Sequence, residues 1–413
     1  MWRKAAAVSL VTAPILLAVA TGVDPALGDD QGYGIYRAHP GATQWHSLLL
    51  HWAWVLFVPG LLGLLAPIRR RGAGPARVAW VAVLLGLATF SALMAMDFFL
   101  LALEQTLPDA QVAAVDTRFQ EQLLTVAGWQ WPGLLGWALA MLLVPVAAAR
   151  ARVVNWWTAG AALVGMALYL AFAISPVPVN LLGPVVLAGA YAAAAWQLLR
   201  PRAAAAEPDS FGVFRARTGL AALVAAPVVL GAGVVSAPSG TFAAHPTQTQ
   251  VSALLLHYGW LLFVPAVLSV AARGGRFTRV AAGVTVLALL NFSALMVGDA
   301  ADLAARQVLD AATADRVGET LGGYPLFTFG WMVPGMVLSL LGLVAVLAGA
   351  AVDRLARWWV PVLGFAGVAA FLVVPVGVAG LAGPVLLLAA FGLTGREPRR
   401  PREETGEPVA VAG

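Results

Sequence analysis

The chain contains no cysteine. Disulfides, thiolate metal sites and cysteine nucleophiles are thereby excluded. Charge is also scarce: Asp, Glu, Lys and Arg make up 11% of 413 residues, and Lys4 is the sole lysine among 25 basic residues. Beside so much Ala, Gly, Val and Pro, that replacement of Lys by Arg reads as the codon bias of a GC-rich bacterial genome. The net charge of +5 offers no surface for nucleic acid, because the arginines sit in short segments between apolar runs. Histidine occurs five times, at 39, 46, 51, 245 and 257, and never in an HxxxH or HExxH pattern.

Apolar residues are abundant: they make up 61% of the chain, and the mean hydropathy is +0.84. That is too apolar for a soluble protein of this length and predicts many membrane spans. The runs fall at 5–22, 46–67, 78–103, 125–148, 155–173 and 180–199, then at 218–236, 250–270, 280–299, 323–350, 358–377 and 379–394. They are continuous rather than alternating, so the spans are helices and not barrel strands. The first run follows Trp2-Arg3-Lys4 in the manner of a signal peptide. A similar run at 218–235 carries a matching Ala-Pro (Ala13-Pro14, Ala226-Pro227) inside the chain, so 5–22 is read as a retained helix.

Charge predicts the orientation. With the N-terminus inside, 21 of the 25 basic residues fall in inner segments, leaving only Arg37, Arg118, Arg306 and Arg316 outside. Both termini are thus expected in the cytoplasm, in a bacterial inner membrane. The polar linker 200–217 and the tail 395–413 lie on that side. The outer loop 23–45 carries Asp24, Asp29 and Asp30, and the outer loop 104–124 is acidic with an amphipathic helix expected after Pro108.

One stretch occurs twice. Ala38–Pro59 and Ala244–Pro265 align without a gap, with 14 of 22 positions identical, pairing His39 with His245, Gln44 with Gln250, His51 with His257, Trp54 with Trp260 and Pro59 with Pro265. The repeat continues: Phe90–Met94 and Asp97 match Phe292–Met296 and Asp299, while Gly128-Trp129 and Pro132-Gly133 match Gly330-Trp331 and Pro334-Gly335. Six spans per copy is an even number, so the copies are parallel. The expected fold is all-α, with twelve transmembrane helices as two parallel six-helix repeats, 1–199 and 218–394. Pro59 and Pro265 are expected to kink their helices.

Counting from the inner arginines at 1.5 Å per residue places His51, Asp97 and Trp129 roughly 27–31 Å away, near the outer edge of the bilayer core. His257, Asp299 and Trp331 reach about the same level. Gln44, His51 and Trp54 are spaced to share a helix face. The candidate ligand-binding residues are therefore His51, Trp54, Asp97, Trp129, His257, Trp260, Asp299 and Trp331. His–Asp pairs at this depth suit binding of a small polar solute or proton carriage, as in a transporter. Equally, a buried His beside an Asp suits a structural clasp, in a membrane subunit with no ligand of its own. A third reading is a haem held by His51 and His257, or a divalent metal in each half with His39 and His245 as further ligands. No cofactor is required by any motif, the residues lean away from an enzyme without deciding the question, and the partners implied are the bilayer and a small polar solute.

The AHP…LLLH…LLFVP pattern, followed by a short Arg/Gly inner loop, resembles a group of uncharacterised bacterial polytopic membrane proteins, many of them a single unit of about this half-length. The resemblance covers the first three helices of each half and implies an integral membrane protein, here in tandem form, without supplying catalytic residues. Arg69-Arg70-Arg71-Gly72 also resembles, weakly, the inner loop of major facilitator transporters, whose acidic loop residue this chain lacks. Ser47 and His51 give an SxxxH similar to membrane zinc hydrolases of the alkaline ceramidase type, but Ala253 replaces the serine in the second copy and no C-terminal histidine pair follows.

Overall fold

A computed structural model describes residues 2–28, 32–201, 208–374 and 376–395. Asp29, Asp30, residues 202–207 of the linker and nearly all of the 395–413 tail lie outside the described residues. The described chain is helical and holds no strand. Ten helices are long and apolar enough to cross a membrane: α1 (Trp2–Gly22), α2 (Pro40–Leu65), α3 (Ala73–Thr106), α5 (Leu123–Arg150), α7 (Val179–Leu199), α8 (Ser210–Ser236), α9 (Pro246–Arg273), α10 (Arg276–Val308), α12 (Pro325–Val352) and α14 (Gly377–Thr394). Two apolar helices are shorter, α6 (Trp156–Phe172) and α13 (Val360–Val373). Two more lie in the segments between spans, α4 (Asp109–Gln120) and α11 (Ala311–Gly322). This is the make-up of a multi-pass integral membrane protein, in which helices satisfy their own backbone where water is absent.

Local chemistry sets several ends. Pro40 and Pro246 open α2 and α9 at a position where the missing N–H costs nothing. Asn155, Asp209 and Asp310 cap α6, α8 and α11 by accepting from the N–H three residues on. The Asp209 cap starts α8 at Ser210, eight residues ahead of the apolar run, so part of the expected linker is helix. The helix expected after Pro108 is α4; its counterpart α11 is the more strongly amphipathic of the two and begins at its Asp310 cap.

The long helices are not uniform. Segments Val126–Gln130 of α5 and Thr328–Met332 of α12 widen to π-helical turns just before Pro132 and Pro334. A further π segment, Ala82–Leu87, lies in α3 only. Both α3 and α10 break briefly, at Leu93-Met94 and Leu295-Met296. Helices α2 and α9 run on through Pro59 and Pro265.

Within each half of the chain the same neighbours adjoin: α1 with α2 and α7, α6 with α7 and α3 with α5 in the first; α8 with α9 and α14, α13 with α14 and α10 with α12 in the second. Small residues bring these backbones close, as membrane helices require. At the α3–α5 crossing, a Cβ on Gly86 or Gly136 would lie 2.2 Å from the other's Cα. Beyond the spans the packing crosses over: α4 rests on the end of α10, and α11 on the end of α3.

Candidate functional site

Leu48, His51 and Trp52 follow one another at i, i+3 and i+4, one stripe of α2. Leu254, His257 and Tyr258 form the same stripe of α9. Each stripe faces the opposite half of the chain. Leu48 packs on Gly330, and Leu254 on Gly128; a Cβ on either glycine would meet the leucine at 2.7 and 2.5 Å. Trp52 Nε1 donates to the Gly330 carbonyl at 3.2 Å, and Tyr258 Oη donates to the Gly128 carbonyl at 2.7 Å.

These carbonyls are available for a covalent reason. At Gly128 and Gly330 the ladder widens to π-helical turns, and an α-helical bond would reach Gly128 O from residue 132 and Gly330 O from residue 334. Both are prolines, which have no N–H to give. The freed acceptors, presented on glycines that let a neighbour approach, are satisfied by the other half's aromatic donors.

The histidines, one residue before Trp52 and Tyr258, make a similar exchange. Both are fully buried. Each donates through Nδ1 to a serine carbonyl of its own half: His51 to Ser91 O at 3.1 Å, His257 to Ser293 O at 2.9 Å. Each Nε2 then reaches the opposite half, His51 to Asn291 Oδ1 at 2.8 Å and His257 to Thr89 Oγ1 at 2.9 Å. The His51 ring stacks on Trp331, centroids 3.6 Å apart and 19° between planes, while Trp129 lies 5.0 Å from His257. Asn291 Nδ2 donates to Trp331 O at 2.7 Å, and Trp331 Nε1 donates to Asn291 O at 3.0 Å, closing a small ring of bonds.

Donor bookkeeping distinguishes the two sides. Ser91 O and Asn291 Oδ1 are both acceptors, so two simultaneous bonds from His51 need a proton on each ring nitrogen, or a neutral ring with the amide turned to present Nδ2. The Thr89 hydroxyl can donate to a neutral His257 or keep its bond to Leu85 O. The orientation of Asn291 is therefore tied to the protonation of His51.

The expected site residues separate into three places. His51 with Trp331, and His257 with Trp129, meet at the junction, pairing across the halves and not within one. Trp54 and Trp260 turn the other way: three residues past each histidine is about 60° round the helix. Trp54 packs among Phe57, Phe90, Trp137 and Tyr169, and Trp260 among Phe263, Phe292 and Phe371. Asp97 is not a partner of His51. Its carboxylate lies 3.8 Å from His46 Nε2, which is also 3.7 Å from Asp24. His46 Nδ1 donates to Ala20 O at 2.8 Å; Ser252, its counterpart, donates to Gly233 O at 2.8 Å, so Asp299 has no histidine beside it. His39 and His245 are exposed and stand at the N-cap positions of α2 and α9 without a side-chain cap bond.

Both ring nitrogens of His51 and of His257 are hydrogen-bonded in this structure. Among the described residues, no group of three or more His, Asp or Glu side chains is placed to hold a metal ion.

The sequence pattern misses Asn291, Thr89, Trp52, Tyr258 and the glycine carbonyls. Thr89 and Asn291 are equivalent positions holding different residues, as are Trp52 and Tyr258, so retention between the copies points away from them. The usable signal is the proline four residues after each glycine.

Both histidines of the junction are buried, and space between the halves is also found away from them. A cavity of about 530 Å³ is lined by Leu62 and Trp80 from the first half and by Arg215, Pro265, Leu268 and Arg273 from the second. No family model, curated protein or solved structure matches the chain.

Proposed function

We propose that this is a transporter-like protein for a small solute, built as two parallel six-helix repeats with twelve spans in a bacterial cytoplasmic membrane, both termini inside. The observation that carries the reading is a cavity between the halves on the arginine-rich side, separated from the opposite side by the buried crosswise layer of His51 and His257. In that arrangement the His–Trp layer is the closed outer gate and the cavity is the inward-facing vestibule. Reciprocal contacts, each half holding the other by the same stripe, suit two bodies that rock against one another. The short helices α6 and α13 supply the remaining spans of the two repeats.

The absence of cysteine makes the test clean. Ser269→Cys, on the cavity wall, should react with a membrane-impermeant maleimide in inside-out vesicles and resist it in right-side-out vesicles. Replacing both His51 and His257 by Leu should make Ala294→Cys, beside the gate, reactive from outside. Labelling of Ser269→Cys from the outer face alone would overturn the orientation and the vestibule together. A second reading has its own support: complete burial of both histidines suits a fixed structural clasp. On that reading, the His51/His257 replacement lowers stability and leaves the labelling pattern of both cysteines unchanged.

A further inference from the structure

The cavity on the arginine-rich side has a chemistry of its own. Three guanidinium groups stand on it: Arg215 of α8, Arg273 at the end of α9 and Arg279 at the start of α10. Among the described residues no carboxylate lines it. Arg215 Nη2 donates to Ala66 O at 3.4 Å; Arg273 donates to Ser269 O at 3.3 Å and Thr394 O at 2.9 Å; Arg279 Nε donates to Ala271 O at 3.4 Å. Each acceptor is a neutral carbonyl. Among the described residues no carboxylate lies within ion-pair distance of any of the three. Asp209 and Asp353 act on Arg215 and Arg279 through charge across a gap, and spend their hydrogen bonds elsewhere: Asp209 caps Gly212, and Asp353 accepts from Gly275 N and the Thr278 hydroxyl. Arg215 Nε is buried without a hydrogen-bond partner, and its guanidinium lies over the Phe211 ring, 5.1 Å from the centroid. Each guanidinium carries five N–H donors, so most of this donor capacity is unspent.

Below this rim the wall is apolar, with Trp80, Leu220 and Leu268 on it. Pro265 marks its depth: eight residues above Arg273 along α9, or about 12 Å. The volume, about 530 Å³, is that of an ordinary small-molecule site. Cations at the mouth, no carboxylate among the described lining residues and an apolar throat describe a receptor for one kind of molecule. A metal cation would be repelled. A small hydrophilic anion would use the rim and leave the throat unfilled. Guanidinium groups bind phosphate and carboxylate by paired, charge-assisted bonds.

We infer that this cavity binds an amphiphilic anion, its phosphate or carboxylate headgroup at Arg215, Arg273 and Arg279 and its alkyl chain along Trp80, Leu220 and Leu268. The inference names the ligand class of the vestibule and rests on that reading for its place in a transport cycle, though binding itself does not need the gate to move. The same chemistry could come from a two-chain bilayer phospholipid or from a single-chain amphiphile.

The test uses the full chain purified in a neutral maltoside detergent, with dodecyl phosphate as probe and native mass spectrometry as readout. One dodecyl phosphate should bind per chain, at least tenfold more tightly than inorganic phosphate or dodecyltrimethylammonium. Affinity should fall at least tenfold in the Arg215→Gln/Arg279→Gln variant. Leu268→Trp, which fills the throat and leaves every arginine in place, should weaken dodecyl phosphate by a similar factor, and Arg279→Gln alone keeps the test informative if the double variant does not fold. Phosphatidylglycerol co-purifying at one per chain and displaced by dodecyl phosphate assigns the site to bilayer lipid. Binding of dodecyl phosphate to a lipid-free preparation assigns it to a single-chain amphiphile. Binding that is unchanged in both Arg279→Gln and Leu268→Trp, or no tighter than that of dodecyltrimethylammonium, overturns the inference. Failure of binding with Ser269→Cys still labelled from inside would remove the ligand class and leave the transport reading standing; the reverse result would do the opposite.

Discussion

The Asn291 side chain ties the opposite half's histidine to a carbonyl of its own half. It meets His51 Nε2 at 2.8 Å and donates to Trp331 O at 2.7 Å, with no exposure to solvent. Asn291→Leu keeps the volume roughly constant and removes both bonds. Nothing polar replaces them, so a buried ring nitrogen is left unpaired, at about 1–3 kcal/mol for such a group. Hydrogen bonds between membrane helices average about 0.6 kcal/mol in double-mutant cycles and reach about 1.7. His51→Leu and Asn291→Leu should therefore each destabilise the chain by about 1–3 kcal/mol, and the double variant should cost about 1 kcal/mol less than their sum. The cycle can be measured by reversible unfolding in mixed micelles of increasing SDS fraction, followed by far-UV circular dichroism. The control is His51→Leu with Asp97→Leu, residues on adjacent helices that share no hydrogen-bond partner; this pair should add within about 0.3–0.5 kcal/mol. If His51 and Asn291 prove additive while His51 and Asp97 couple, the crosswise pairing is wrong and the within-half pair is right.

The proline-freed carbonyls give a second test. Tyr258→Phe deletes one donor across the junction and should cost up to about 1.7 kcal/mol, whereas Tyr258→Phe with Pro132→Ala should recover part of that loss as the helix satisfies Gly128 O itself; a wholly additive double variant would count against the argument. At the α3–α5 crossing, Gly136→Leu should destabilise by about 1–3 kcal/mol or more through overpacking, read as a lower unfolding midpoint. Gly74, with nothing within 4 Å of a Cβ, should accept Ala with no loss. In the segment between α12 and α13, the Thr278 hydroxyl and then the Gly275 N–H hold the Asp353 carboxyl below its usual 3.8. A depressed carboxylate stabilises the fold above its unfolded value and loses that effect as pH falls through the lower folded value. The wild type should thus lose midpoint relative to Asp353→Asn only below about pH 4, and parallel midpoint curves from pH 6 to pH 2 would refute the assignment.

Composition and continuous apolar runs determine most of this protein without tertiary information. A bilayer admits only segments that satisfy their own backbone, so a run of about 20 apolar residues is a helix whatever surrounds it. Chain-local chemistry is equally legible: Pro40 and Pro246 start helices, and Asp209, Asp310 and Asn155 cap them. The depth of His51, His257, Trp129 and Trp331 also follows from counting along a helix of known rise. Which of them meet does not, because depth is one coordinate and azimuth and partner are two more. Retained residues suggested a His, an Asp and a Trp of one half. Folding joined His51 to Trp331 and Asn291 of the other half, turned Trp54 and Trp260 into their own cores, and gave Asp97 to His46. The partners that complete the junction, Thr89 with Asn291 and Trp52 with Tyr258, are chemically unlike pairs at equivalent positions, so comparing the copies hides them. Backbone acceptors carry no letter in a sequence. Gly128 O and Gly330 O become visible only when the missing proline N–H four residues on is read together with the aromatic donor that the opposite half brings within reach.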